Sequence, residues 1–218
     1  MSEPGSRDEG YDWHAWHQRY DEPDGWLGRR LAVVRRLLNT ALDTAPAGPL
    51  TLISACAGQG RDVLGALPEH PRRADVRGRL VELDPENAAA ARAGIAAHGL
   101  ALEVLTTDAG TTDAYTGITP ADVVLACGVF GNITDSDVRR TIATLPALCR
   151  PGATVLWTRH RGAPDLTPSI RRWFGEESFR ELAFVAPPDV SFSVGSHRYD
   201  GPARTLRPGQ DIFRFIRR

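Results

Sequence analysis

Leu50-Thr51-Leu52-Ile53 runs directly into Ser54-Ala55-Cys56-Ala57-Gly58-Gln59-Gly60, and from Asp62 the composition turns helical. An apolar run that empties into such a turn and then into a helix reads as the first half of a βα unit. Ala55, Cys56, Ala57, Gly58 and Gly60 carry little or no side-chain bulk, so the backbone can bend sharply and a ligand can lie against it. The helix beginning just beyond would also present unpaired N–H groups, which suit a carboxylate. The same residues serve equally well in a tight strand-to-helix turn that binds nothing.

The pattern repeats downstream. Apolar runs at Leu80–Leu83, Leu102–Leu105, Val123–Ala126 and Thr154–Trp157 are separated by segments of helical composition. This alternation predicts an α/β fold, a mostly parallel sheet covered by helices on both faces with right-handed crossovers. Upstream, residues 1–10 are predicted to be a flexible tail. Trp13, Trp16, His17 and Tyr20 then fall at i, i+3, i+4 and i+7, one side of a short helix. Asp24 offers an N-cap for a second helix whose Leu27, Leu31, Val34, Leu38 and Leu42 keep helical spacing, and Pro46, Gly48 and Pro49 stop it. After Ile170 the rhythm breaks: Ile170–Phe179 reads as helix, Leu182–Val185 and Asp211–Ile216 as strands, and Phe192–Tyr199 fits neither period cleanly. No linker divides the chain, so residues 11–218 are expected to form one domain, with 11–45 as an N-terminal helical cap and 50–218 as the core.

The 218 residues suffice to bury roughly 70% of the unfolded-state surface without staples. Net charge is −1, so no basic field draws nucleic acid nonspecifically, and no lysine occurs, which removes a Walker P-loop and lysine-based covalent chemistry. Cys56, Cys127 and Cys149 are odd in number and lack C-x-x-C spacing, which points to reduced core residues rather than a metal site. The first residues are polar and acidic, unlike a secretory signal, and no apolar run is long enough to span a bilayer. A cytoplasmic protein that engages neither membrane nor nucleic acid is expected.

A dinucleotide fingerprint would place a third glycine where Val63 stands. Instead, the turn resembles the first motif of the class I S-adenosylmethionine-dependent methyltransferases, an acidic residue and three alternating glycines. The matching positions are Ser54, Cys56, Gly58 and Gly60, so serine replaces the acid and cysteine the first glycine. Asp62, one turn on, either meets the ligand's ammonium group or caps the helix. Glu82-Leu83-Asp84-Pro85 resembles the second motif, in which the acid ending the strand accepts both ribose hydroxyls; Asp84 followed by Pro85 reads as an N-cap and first helical residue. Thr107-Asp108-Ala109 resembles the adenine motif, with Asp108 accepting from the exocyclic amine and the Ala109 N–H donating to the ring. After the fourth strand, Cys127-Gly128-Val129-Phe130-Gly131-Asn132 enters the crevice where open parallel sheets bind ligands.

This resemblance implies a Rossmann-like class I methyltransferase fold, a seven-stranded sheet in the order 3-2-1-4-5-7-6 with the last strand antiparallel. It implies S-adenosyl-L-methionine as cofactor, held by Ser54, Ala55, Cys56, Gly58, Gly60, Asp62, Glu82, Leu83, Asp108, Ala109, Cys127 and Gly128. The expected function is methyl transfer to an oxygen or nitrogen of a small-molecule metabolite. The chain lacks the Pro-Pro-aromatic sequence after the fourth strand and the Pro-Cys nucleophile that mark base-methylating members. His160, His197 and His17 are candidate bases for an acceptor that must lose a proton, and Trp13 and Tyr20 either cover the site or pack the N-terminal helix on the sheet. Two alternatives share the motifs: a non-methylating reaction such as cyclisation of the aminoacyl arm, and a catalytically silent binding module. Glu82→Ala is expected to weaken cofactor binding and to leave the melting temperature nearly unchanged. Oligomeric state and acceptor identity are not encoded in these features.

Overall fold

The computed structural model describes residues 25–216; the tail at 1–10 and the aromatic segment with Trp13, His17 and Tyr20 lie outside them. The first described helix, α1 (Trp26–Thr44), begins after Gly25, and its Leu27, Val34, Leu38, Ala41 and Leu42 form the buried stripe that helical spacing predicts. Then follow β1 (Leu50–Ala55), α2 (Arg61–Ala66), β2 (Val76–Glu82), α3 (Pro85–His98) and β3 (Ala101–Thr106). A 3₁₀ turn at Thr112–Tyr115 leads to β4 (Ala121–Ala126), α4 (Asp135–Leu148) and β5 (Cys149–His160). The chain continues through α5 (Thr167–Glu176), β6 (Phe179–Val185) and β7 (Phe192–Tyr199).

The seven strands form one sheet in the order β3-β2-β1-β4-β5-β7-β6. β1, β2, β3, β4 and β5 pair in parallel, and β7 runs antiparallel to both β5 and β6. β1 and β4 are buried along their whole length because helices cover both of their faces, which is why they read as continuous apolar runs rather than alternating ones. Ile53, Val124, Val155 and Trp157 point into one layer with Ile142 and Phe174; Leu52, Leu80, Leu125 and Leu156 point into the other with Leu38 and Val63. Period-2 alternation thus divides one set of strands between two cores. No helix among the described residues is long and apolar enough to cross a membrane.

Two late segments differ from their sequence reading. Phe192–Tyr199, ambiguous by periodicity, is the strand β7; its glycine is required because a Cβ on Gly195 would lie 2.2 Å from the Trp157 indole. Asp211–Ile216, expected as a strand, belongs to no sheet. It is an extended strap that makes only isolated bridges, Thr111 with Asp211 and Ile133 with Phe215, and crosses the carboxyl-terminal end of the sheet.

The amino-terminal end of the sheet is closed by hydrogen bonds. Arg72 donates to the carbonyls of Leu42 (3.0 Å), Ala45 (2.9 Å), Pro46 (2.8 Å) and Gly48 (2.9 Å) and pairs with Asp75, so one guanidinium holds the exit of α1 and the entry to β1. Asp122, at the start of β4, accepts from the Thr51 N–H at 2.7 Å and meets Arg150 at 3.3 Å.

Candidate functional site

At the opposite end, the turns after β1, β2, β3 and β4 surround a cavity of about 520 Å³, within the roughly 300–1,000 Å³ usual for small-molecule sites. It forms where β1 and β4 part, since their crossovers leave in opposite directions. Cys56, Gly58, Asp62, Glu82, Leu83, Asp108, Ala109, Cys127 and Gly128 line it, nine of the twelve positions expected to hold a cofactor.

The first turn is built on a departure from ordinary backbone geometry. Cys56 has φ 51°, the left-handed region that favours glycine, and it occupies the place where the resembled motif has its first glycine. Holding a residue other than glycine in that conformation costs on the order of 1–2 kcal/mol. The Ala57 N–H donates to the Val81 carbonyl at 2.9 Å, and the Gly58 N–H donates to Glu82 Oε2 at 2.6 Å. Gly60, also left-handed at φ 70°, starts α2 and stands against β2: a Cβ there would lie 2.8 Å from Leu80 Cδ2. It packs helix on strand and is not part of the cavity wall. Ser54 and Ala55 likewise stay in the buried length of β1, outside the wall.

Glu82 ends β2 with only 8% of its surface exposed. Its Oε1 accepts from the Asp84 N–H at 2.9 Å while Oε2 holds Gly58, so the carboxylate joins two turns and retains lone pairs for a ligand. Burial pushes its carboxyl above the usual range, opposed by the Asp84 and Gly58 bonds. Asp84 caps α3 through the Asn87 N–H at 2.8 Å with Pro85 in the first turn, as the sequence predicts. Asp108 accepts from the Gly110 N–H at 2.7 Å through one oxygen, and the carbonyl of Ala109 takes the Tyr115 hydroxyl at 2.8 Å. Burial also raises the Asp62 carboxyl, opposed first by the bond from the Val63 N–H and then by Arg35 and Arg30. Asp62 thus both bonds the backbone of its own helix and faces the cavity.

The cysteines in the wall are not poised nucleophiles, because burial drives both the Cys56 and Cys127 thiols far up. Gly128, with φ 81°, donates its N–H to Thr158 Oγ1 at 2.8 Å, and a Cβ on it would meet nothing within 4 Å. That open space is the cavity. No group of His, Cys, Asp and Glu among the described residues could hold a metal ion.

The described histidines do not enter the wall. His197, placed among the candidate bases, is 1% exposed within β7: its Nδ1 accepts from Trp157 Nε1 at 3.1 Å and its ring stacks on Phe174 at 4.3 Å. Burial holds it neutral with a pKa lowered to about 4. It is a core residue, and the strand geometry that seals it from the cavity removes it as a base. His160, the exposed last residue of β5, accepts from the Gly162 N–H at 3.2 Å and stands beside Gly131, in the loop that carries Gly128. His17, Trp13 and Tyr20 lie outside the described residues.

Several wall residues escaped sequence reading. Arg30, Leu31 and Val34 come from α1, where the apolar pair reads as core; Thr158 comes from β5; Phe213 and Phe215 come from the strap. Asn132 Nδ2 donates to the Gly128 carbonyl at 2.7 Å, which fixes its amide. It closes the stretch from Cys127 that the sequence places in the crevice, and it lines the cavity.

No protein-family model matches the sequence, and no curated protein does. Solved structures share its fold. An O-methyltransferase family protein from Burkholderia thailandensis is 19% identical with a TM-score of 0.66 over 92% of this chain, which spans 62% of that protein's length. The 1,6-didemethyltoxoflavin-N1-methyltransferase of the same organism, solved with 1,6-didemethyltoxoflavin and S-adenosylhomocysteine, is 16% identical with a TM-score of 0.61 over 92% of this chain and 94% of its own. An RNA methyltransferase from Salinibacter ruber with S-adenosylhomocysteine is 22% identical with a TM-score of 0.53, covering 82% and 95%. With this strand order and these neighbours, the chain has the Rossmann-like fold of the class I S-adenosylmethionine-dependent methyltransferases.

Proposed function

We propose that this protein transfers a methyl group from S-adenosyl-L-methionine to an oxygen or nitrogen of a small-molecule metabolite. The observation that carries the reading is Glu82: a buried carboxylate at the end of β2, joined to the glycine turn at 2.6 Å, with acceptor capacity left over toward a cavity of cofactor size. The residues fit an adenosyl sulfonium. Glu82 would accept the ribose hydroxyls, Asp108 the adenine amine through its second oxygen, and Asp62 the ammonium group, while Gly128 leaves room for close backbone approach. The cofactor supplies an electrophilic methyl already activated by the positive sulfur.

The chain's own task is therefore to align the acceptor and exclude water, with proton removal needed only for a hydroxyl or a protonated amine. His160, beside Gly131 of the 128–132 loop, and His17 are the remaining candidates for that proton. A neighbour of equal span carries a heterocyclic small molecule together with S-adenosylhomocysteine, which supports an acceptor of that size.

The test is incubation with S-adenosylmethionine and a panel of hydroxylated and amino-bearing metabolites, followed by product analysis. S-adenosylhomocysteine is expected. Methylthioadenosine would instead indicate attack on the aminoacyl arm, and tight binding without either product would indicate a silent module. Absence of binding would overturn the reading.

A further inference from the structure

Resting on the cofactor reading, we propose that the strap Asp211–Ile216 is a built part of the nucleoside site, with Phe213 forming a wall against the purine and strap docking coupled to cofactor binding.

The strap touches the expected purine turn through backbone. Ile212 and Phe213 both donate their N–H groups to the Gly110 carbonyl, at 2.7 and 3.3 Å, two residues from Asp108. A Cβ on Gly110 would lie 2.3 Å from the Phe213 carbonyl oxygen, so the contact leaves no space for any other residue type. Thr112 adds a bond to Gln210 at 3.0 Å. On its far side the strap is tied to the loop after β4 and to α4: the Ile216 N–H donates to the Asn132 carbonyl at 2.8 Å, the Arg214 N–H to Asp137 at 3.1 Å, and Arg140 Nε to the Ile212 carbonyl at 2.8 Å.

Between these moorings Phe213 is 4% exposed, lines the cavity, packs in the core layer of Ile53 and Val124, and stacks on Phe215 at 5.9 Å between centroids. A large aromatic side chain buried against a cavity, beside a carboxylate that can read an amine, presents an apolar face to a flat heterocycle. Because the strap and the purine turn share the Gly110 carbonyl, anything that orders the turn also orders the strap. The two sets of moorings therefore connect the nucleoside end of the cavity to the loop that carries Asn132.

S-adenosylhomocysteine is the probe, measured by calorimetry on the full chain. Phe213→Leu, which keeps apolar volume and loses the ring, is expected to weaken binding about tenfold. Arg140→Gln, a substitution outside the cavity wall that releases the Ile212 carbonyl, is expected to weaken it severalfold. Trypsin should cut after Arg214 more slowly when S-adenosylhomocysteine saturates the wild-type protein. If the wild type fails to bind, the cofactor reading and this inference fall together. If the wild type binds, yet both variants bind as it does and cleavage is unprotected, the inference alone is overturned.

Discussion

The two ends of the parallel sheet are built from the same residue types and put them to opposite uses. At the amino-terminal end carbonyls and carboxylates meet protein donors: Arg72 spans four carbonyls and Asp75, and the Asp122 carboxylate is met by both a backbone N–H and Arg150. At the carboxyl-terminal end Glu82 and Asp108 accept from backbone N–H groups that fix their orientation, and each keeps acceptor capacity turned to the cavity. Those bonds stabilise the first end. At the second end burial raises the Glu82 and Asp62 carboxyls against the backbone bonds that hold them, which opposes folding with both charged and leaves acceptors for a ligand.

The largest effect is therefore expected far from the cavity. Arg72→Ala leaves four carbonyls without their donor around a side chain only 17% exposed, and should cost about 3 kcal/mol, a fall in melting temperature of roughly 6–12 °C. S-adenosylhomocysteine affinity of the folded protein should not change; a large loss would mean that the two ends are coupled and the contrast is false.

Next in size is an acid dependence centred on His197, which belongs to the core, where its Nε2 is buried without a hydrogen bond, and not to the site. Its folded pKa lies near 4 and its unfolded value near 6.5, with Glu181 raising it and Arg171 lowering it within the larger effect of burial. Between those values the unfolded chain binds a proton that the folded protein does not. Stability is then full above about pH 6.5 and declines as pH falls toward 4, by up to about 3 kcal/mol. His197→Gln keeps an acceptor for Trp157 and should flatten this slope in denaturant titrations at several pH values. An unchanged slope would move the titration to another group.

Glu82→Ala comes third and tests the open end. Loss of two hydroxyl acceptors should lower S-adenosylhomocysteine affinity roughly tenfold to a few hundredfold. The sequence alone suggests no thermal cost. The bonds from Gly58 and Asp84 correct this: both N–H groups lose their partner, and stability should fall by about 1–2 kcal/mol. Calorimetry and a melting curve on the same sample separate the two effects, and full affinity would displace the ribose from Glu82.

The alternation of strands and helices was legible because it depends on local pattern, continuous apolar runs such as those of β1 and β4, whereas the strand order and the roles of the acids that end those runs came from the family resemblance. What escaped depends on contacts distant in sequence. Phe192–Tyr199 resists a period because Gly195 yields to the Trp157 ring, and Asp211–Ile216 has the composition of a strand because it is extended and half-buried, though no strand pairs with it along its length. His197 was indistinguishable from a base until the fold placed it between Trp157 and Phe174. Gly60 matched a ligand motif, yet its left-handed backbone and its approach to Leu80 serve packing.

The smallest effect is the most discriminating about the first turn. Cys56→Gly removes a left-handed cysteine, which should recover on the order of 1 kcal/mol of backbone strain, while the added freedom of glycine in the unfolded chain takes back about 0.5–1 kcal/mol. The melting temperature should therefore move by no more than a few degrees, and S-adenosylhomocysteine affinity should stay within about threefold of wild type, less than 1 kcal/mol. Cys56→Val places a β-branched residue at the same φ and should lose both stability and affinity. If glycine impaired binding as much as valine, residue 56 would be contributing its thiol to the ligand rather than its backbone conformation to the turn. The open end would then be specified by side-chain contact where the sequence departs most from the pattern it resembles.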